Sequence, residues 1–294
     1  MYSAIRANKR NTVIIMMVFL LIIGGLGFIA GYLLQSYDIT IIVLVSAVGY
    51  ALAEYFLASR LAITMSGGQE ISKKDNPLLW NTVENLAIAN GQPMPRVFII
   101  DDPAPNAFAT GRDPKHAYVA ATTGLLEIMD KRELTGVMAH EMSHVKNYDI
   151  RVSMIVFGLV SAIGFICDVF MRVTIFGPHS SDDGDSDSVL PALFGLIAVI
   201  IAPIAAALVQ LAISRQREYL ADSSGALLTR DPEGLAMALA KLEMHTQPMK
   251  KQNTAMAHLY INNPLKTGFT SKLFSTHPPI QDRIDRLMKM GGQM

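Results

Sequence analysis

Two histidines four residues apart, with a glutamate beside the first, stand at His140-Glu141-Met142-Ser143-His144. Residues i and i+4 of an α-helix lie one turn apart on the same face, so a helical stretch here would bring both imidazoles to one metal ion. Glu141 would then flank an open coordination position. A bound ion polarises a carbonyl and acidifies its water while a carboxylate takes the proton, which is the chemistry of peptide-bond hydrolysis. Two unrelated surface histidines would give the same five letters, so a third ligand has to decide. Glu218, in Arg217-Glu218-Tyr219-Leu220-Ala221-Asp222, is the best supplier. Asp222 lies one helical turn further on and can accept the second N–H of a ligand histidine, fixing its tautomer. Without the histidine pair, this run reads as a charged turn at the end of an apolar segment. The donor set points to Zn2+, one ion per chain, and imidazole with carboxylate also admits cobalt or manganese. The single cysteine, Cys167, excludes an intrachain disulfide and a Cys-rich structural zinc site.

The elements that must position these groups can be read from caps and hydropathy. Asp130 with Glu133 forms a capping box, and Leu134, Val137, Met138 and Val145 continue an apolar helical face, so the histidine pair is expected on a helix. Helices are also expected over residues 77–90, 232–244 and 280–290, and short strands over 96–100 and 117–121. The chain is 294 residues long with 51% hydrophobic content, and its mean hydropathy is +0.31. That exceeds what a water-soluble core needs. Four apolar runs, residues 12–34, 39–57, 152–175 and 189–213, are long enough to cross a bilayer. The first is read as retained rather than as a signal peptide, because it is long and another span follows at once. Arg6, Lys9 and Arg10 precede the first run and Arg60, Lys73 and Lys74 follow the second, whereas the connection after the third carries Asp182, Asp183, Asp185 and Asp187. The positive-inside rule therefore puts both termini in the cytoplasm. The expected fold is a mainly α membrane protein: a transmembrane hairpin over 1–58, a catalytic segment over 59–151, a second hairpin over 152–213 and a second catalytic segment over 214–294. Two crossings lie between His144 and Glu218, so all three ligands fall on the cytoplasmic side and can share an ion.

With 25 basic and 25 acidic residues the formal net charge is zero, and no global field recruits nucleic acid. The expected partners are the lipid bilayer and protein substrates. An intramembrane protease would bury its metal helix in a span, yet this helix carries Lys131, Arg132, Glu133, Lys146 and Asp149 nearby, which places it at the surface. A non-catalytic scaffold with a structural zinc would not need Glu141 and would close the fourth ligand position with protein. His277 is a candidate donor to the oxyanion of a tetrahedral intermediate, and it reads equally well as a packed turn histidine. Asp149 either orients a ligand histidine or begins an interfacial cap. Glu54 and Asp168 lie in apolar runs near span ends and are read as snorkelling, or as paired, Asp168 with Arg172. His116, His179, His245 and His258 have no partner spacing and are read as surface residues. Arg215 and Arg217 are read as anchors at the inner face.

These residues together resemble the HtpX family of bacterial membrane-bound zinc metalloproteases, gluzincins related to the CAAX prenyl proteases. The resemblance rests on the paired N-terminal spans, Asn106-Ala107-Phe108-Ala109-Thr110-Gly111, His140 to His144 with Asp149 following, Ser214-Arg215-Gln216-Arg217-Glu218-Tyr219-Leu220-Ala221-Asp222, and Ser275-Thr276-His277-Pro278-Pro279. It covers nearly the whole chain, with no departure at the metal or base positions. It implies a gluzincin-like cytoplasmic domain with a small β-sheet. It also implies an inner-membrane endopeptidase of the envelope-stress type that cuts misfolded membrane proteins. Further, it implies that Asn106, Ala107, Phe108 and Ala109 form an edge strand on which extended substrate backbone pairs. Read without it, that stretch is as well an ordinary Pro-rich loop.

Overall fold

The helix ends are where the capping chemistry sets them. In the computed structural model, which describes residues 2–33, 35–176, 215–265 and 278–292, helix α3 (Pro77–Asn90) opens with the Asn76 side chain accepting from Leu79 N–H and closes on Gly91 in the left-handed region. Helix α5 (Lys131–Asn147) opens with the full capping box: Glu133 N–H donates to Asp130 at 2.8 Å and Asp130 N–H to Glu133 at 2.9 Å. Each such cap satisfies backbone donors that a helix start leaves open.

Two long apolar helices, α1 (Tyr2–Leu33) and α2 (Tyr37–Ser66), form the N-terminal hairpin. Their stretches Ala4–Ile29 and Thr40–Ser66 are long and apolar enough to cross a membrane. Side chains such as Leu21, Ile42, Val45 and Leu52 are exposed along them. The second helix runs nine residues beyond the expected end at 57, because nothing breaks it before Gly67, which caps it at φ 78°. The expected span 152–175 falls on α6 (Asp149–Phe176), a continuous helix. The span at 189–213 and the acidic connection before it lie outside the described residues, and so do the side chains of Asp168 and Arg172.

A mixed four-stranded sheet lies between these helices and the rest. Strands β1 (Gly68–Glu70), β2 (Arg96–Ile100), β3 (Ala107–Gly111) and β4 (Ala117–Thr122) are ordered β1-β2-β4-β3. The β2–β4 pair is parallel and the two outer pairs antiparallel. Strand periodicity divides the side chains between two cores. Val97, Ala107, Ala109, Val119 and Ala121 join α3 and α5. Phe98, Ile100, Phe108 and Ala120 join α1, α2 and α6. A short helix α4 (Thr123–Ile128), capped by Thr122, leads into α5, while α7 (Arg215–Thr229), α8 (Pro232–Met244) and α9 (Ile280–Gly291) pack around α5.

Helix α5 does not lie on the protein's own exterior along its middle: its Lys and Arg residues cluster at its ends, while Leu134 to Ser143 are buried apart from Thr135. Glu133 itself is fully buried and paired with Lys241 at 2.7 Å. Glu54 does not snorkel either. It is buried against α6, where its carboxyl carbon would lie 1.7 Å from a Cβ at Gly158. Tyr50 Oη donates to the Gly158 carbonyl at 2.7 Å. The missing side chain at Gly158 makes room for the carboxyl between two apolar helices.

Helices α7 and α8 reach α5 only because glycines stand at the crossings. A Cβ at Gly136 would meet Leu235 Cα at 2.8 Å, and one at Gly225 would meet His140 N at 3.0 Å. The second contact sets how closely the Glu218 helix approaches the histidine helix. Gly225→Val should therefore destabilise the fold by roughly 1–3 kcal/mol, read as a lowered melting temperature in detergent, and should also weaken metal retention.

Candidate metal centre

Helix α5 places His140 and His144 one above the other, as the i, i+4 spacing requires, with ring centroids 4.7 Å apart and planes at 90°. Their Nε2 atoms are only 3.1 Å apart. Across the gap α7 presents Glu218, with Oε2 3.8 Å from His140 Nε2 and Oε1 3.5 Å from His144 Nε2. These three side chains offer ligand atoms that all lie within 4.8 Å of one another. A tetrahedral ion bonded to imidazole and carboxylate at about 2.0–2.2 Å separates its ligand atoms by about 3.4 Å, so the three spacings suit one ion.

The histidine tautomers make the same point independently. His140 Nδ1 lies 2.9 Å from Asp222 Oδ1, and His144 Nδ1 lies 3.0 Å from Asp149 Oδ2. Each carboxylate accepts a hydrogen bond from Nδ1–H, so in the metal-binding tautomer each ring turns its Nε2 lone pair toward the other. Two such lone pairs at 3.1 Å with a carboxylate beside them need a cation between them, a proton on His144 or the metal ion that displaces it. The donor set fits a resident divalent metal, with Asp222 and Asp149 both orienting ligands as the sequence allowed.

Asp149 reaches His144 because the chain turns sharply between α5 and α6: Tyr148 caps α5 in the left-handed region at φ 62°. Asp222 is shared with a residue the sequence reading missed. Arg283 on α9 is completely buried and grips Asp222 with two bonds, Nε to Oδ2 at 2.9 Å and a terminal nitrogen to Oδ1 at 2.7 Å. Its other terminal nitrogen is 3.8 Å from Glu218. A signal existed: Arg283 falls in the stripe of α9 that carries Ile280, Ile284 and Leu287, and an arginine in an apolar stripe demands a buried carboxylate.

The site's charges follow from this packing. Burial opposes ionisation of Asp222, but Arg283 and His140 outweigh it and hold the carboxyl down at about 2. Burial likewise disfavours a charged His144, yet the hydrogen bond to Asp149 and the charges of Glu218 and Asp149 prevail and raise it to about 9. Glu141 is buried beside the pair, and that burial raises its carboxyl against the lowering pull of His140 and His144. The backbone of Ala109 adds a smaller lowering pull.

A cleft beside these groups is lined by Ala109, Ile150, Ser153, Arg217, His258 and Tyr260, among others, and encloses ≈ 30 Å³. Of the expected substrate-binding residues, Ala109 alone lines it. Asn106 and Ala107 bind the chain's own later segment: the Asn106 amide donates to Asn262 O at 2.8 Å, and Ile261 N–H to Ala107 O at 3.0 Å. Phe108 points to the opposite face and packs on Tyr260, centroids 4.9 Å apart. Strand alternation accounts for that split. His258, expected on the surface, is buried with Nε2 2.9 Å from Ser153 O, because a short turn at Ala257–Leu259 folds it onto α6. Arg217, expected as an interfacial anchor, also faces the cleft. His277 lies outside the described residues.

Two outcomes follow for a purified protein. A proton on His144 competes with metal, so apparent metal affinity should rise with pH up to about 9 and fall below that by about tenfold per pH unit for each proton displaced; chelator competition across pH measures it. Arg283→Met leaves the Asp222 charge buried without its cation and should cost about 3–5 kcal/mol of stability, visible as early thermal unfolding.

Comparison with known proteins bears on the chemistry. The chain is 59% identical over 294 residues to "Protease HtpX homolog" of Tropheryma whipplei (strain Twist), covering 100% of this chain and 99% of the relative. It is 44% identical over 295 residues to the protein of the same name from Ligilactobacillus salivarius (strain UCC118), covering 99% and 100%. In fold it is similar to the crystal structure of S. mikatae Ste24p, with TM-score 0.52 and 19% identity, over 96% of this chain and 66% of that one. Residues 73–290 match the model of Peptidase family M48, a span that holds both histidines, Glu141 and Glu218. With the metal-binding triad and two membrane-length helices in place, the chain belongs to peptidase family M48 and is a metallopeptidase.

Proposed function

We propose that the protein is a zinc endopeptidase held in the bacterial cytoplasmic membrane by four spans, with its termini and active site in the cytoplasm, and that it cuts misfolded or damaged membrane proteins. The single observation that carries the catalytic part is the convergence of the His140 and His144 Nε2 atoms at 3.1 Å with Glu141 buried alongside. His140, His144 and Glu218 hold the zinc. When bound, the ion supplies a polarised carbonyl and an acidified water. Glu141 accepts the proton of the attacking water and passes it to the amide nitrogen that leaves; a carboxyl raised by burial suits that exchange better than an ordinary one. His277 donates to the oxyanion.

Substrate backbone is read along the outer edge of β3. Ala109 is the point of entry, since Asn106 and Ala107 are already engaged by residues 261 and 262. Substrate pairing at Asn106 and Ala107 therefore requires residues 261 and 262 to give way. The basic flanks of the first two spans, Arg6, Lys9 and Arg10 before and Arg60, Lys73 and Lys74 after, support the cytoplasmic orientation. The resemblance to a stress-type family supports the substrate class.

Wild-type protein and Glu141→Gln should bind zinc alike, about one ion for a single three-ligand site. The variant should cleave an unfolded membrane substrate at least 10²–10⁴-fold more slowly, as expected for loss of a general base. Equal cleavage by the two would remove Glu141 from the mechanism, and cleavage insensitive to chelators would remove the metal.

A further inference from the structure

Asn8 belongs to the part of the N-terminal helix that the sequence reading treated as a basic flank, yet it is 4% exposed. Its side-chain nitrogen lies 2.8 Å from the Asn147 carbonyl and 2.6 Å from Asp149 Oδ1. Both partners are acceptors, so the amide can face them only with its NH2 group, and both of its N–H bonds are used. The first bond satisfies a carbonyl at the open C-terminal end of the histidine helix. The second grips the free oxygen of the carboxylate whose other oxygen holds His144 Nδ1 at 3.0 Å.

The neighbours fix this contact. Thr12 donates back to the Asn8 carbonyl at 3.0 Å, and Lys9 Nζ sits 4.5 Å from the centre of the Tyr148 ring, the residue whose left-handed turn aims Asp149 at His144. Only a primary amide meets the demands of the place. It supplies two donors from one nitrogen and carries no charge. A lysine would neutralise Asp149 and weaken its hold on the His144 proton. An aspartate would set acceptor against acceptor. A leucine would leave two buried oxygens without donors.

We infer that Asn8 is a positioning residue of the metal centre, acting through Asp149 to hold His144 in its metal-binding tautomer and orientation, so that the N-terminal membrane helix is a working part of the active site. The inference rests on the His140–His144–Glu218 centre proposed above. Groups behind a metal ligand commonly govern its affinity by 10–100-fold, and Asn8 stands one step behind Asp149.

The test uses the full chain in detergent, with zinc affinity measured by competition against a chromophoric chelator, the visible spectrum of the cobalt-substituted protein, and the melting temperature of the metal-free protein. Asn8→Ala should weaken zinc binding by about tenfold or more and shift the cobalt bands. The isosteric Asn8→Asp, which preserves shape should the alanine variant fail to fold, should weaken binding further. In an Asp149→Ala background, Asn8→Ala should have almost no additional effect on affinity, because the two residues act along one path. Wild-type affinity and an unchanged cobalt spectrum in both Asn8 variants would overturn the inference even if they melt early, since that is the signature of a packing role alone. Losses that multiply in the double variant would overturn it too. Wild-type protein that binds no zinc would instead refute the metal centre itself, and the inference with it.

Discussion

The repulsion between two imidazole lone pairs governs the design of this molecule. His140 and His144 hold their Nε2 atoms 3.1 Å apart inside the protein, an arrangement that needs a cation to be favourable and needs both Nδ1 protons held on the far side. Everything around the pair serves one of those ends. Asp222 and Asp149 hold the protons, and Glu218 completes the ligand set. Arg283 balances the resulting excess of negative charge from a position with no access to water. A buried carboxylate without such a partner would protonate or unfold the site.

The supporting residues come from every part of the chain. Asp149 starts α6, Asp222 lies in α7, Arg283 in α9 and Asn8 in α1. Helix α5 can be buried on all sides because glycines at 136 and 225 let α8 and α7 approach its backbone. The sheet closes a further side and separates the catalytic core from the core shared with the membrane-length helices. That layering explains how a polar centre can stand next to apolar helices without water reaching its ion pairs. It also explains why neither segment could form the site alone: His140 and Glu218 lie far apart in the chain and meet only across the α5–α7 crossing.

The cleft has a built-in wall. Residues 260–262 lie antiparallel to the end of β3, bridged by the Phe108–Tyr260 pairing, and take the backbone acceptor at Ala107. An edge strand left bare invites any extended chain to pair with it. Here the chain covers its own edge up to Ala109, which lines the cleft beside Glu141.

Local rules within the sequence were enough for the elements and the first ligands. The capping box at Asp130 and Glu133, the proline and glycine bounding 77–90, and the i, i+4 spacing of His140 and His144 depend on backbone chemistry over a single turn, and the structure follows each. The first two apolar runs long enough to span a bilayer were equally legible, because length and hydropathy need no partner. What the sequence could not convey was which distant groups share a proton or a charge. Asp149 reads as a helix start until Tyr148 turns it back onto His144. Nothing local marks Arg283 or Asn8 as a partner of the site until α9 and α1 bring them to it, and His258 reads as exposed until its turn folds onto α6. Even the edge strand looked open until residues 260–262 lay against it. Side-chain hydrogen bonds act over about 3 Å, whereas all of these partners except Asp149 and His144 are separated by tens to more than a hundred residues. Only the packing of helices around α5 could decide them.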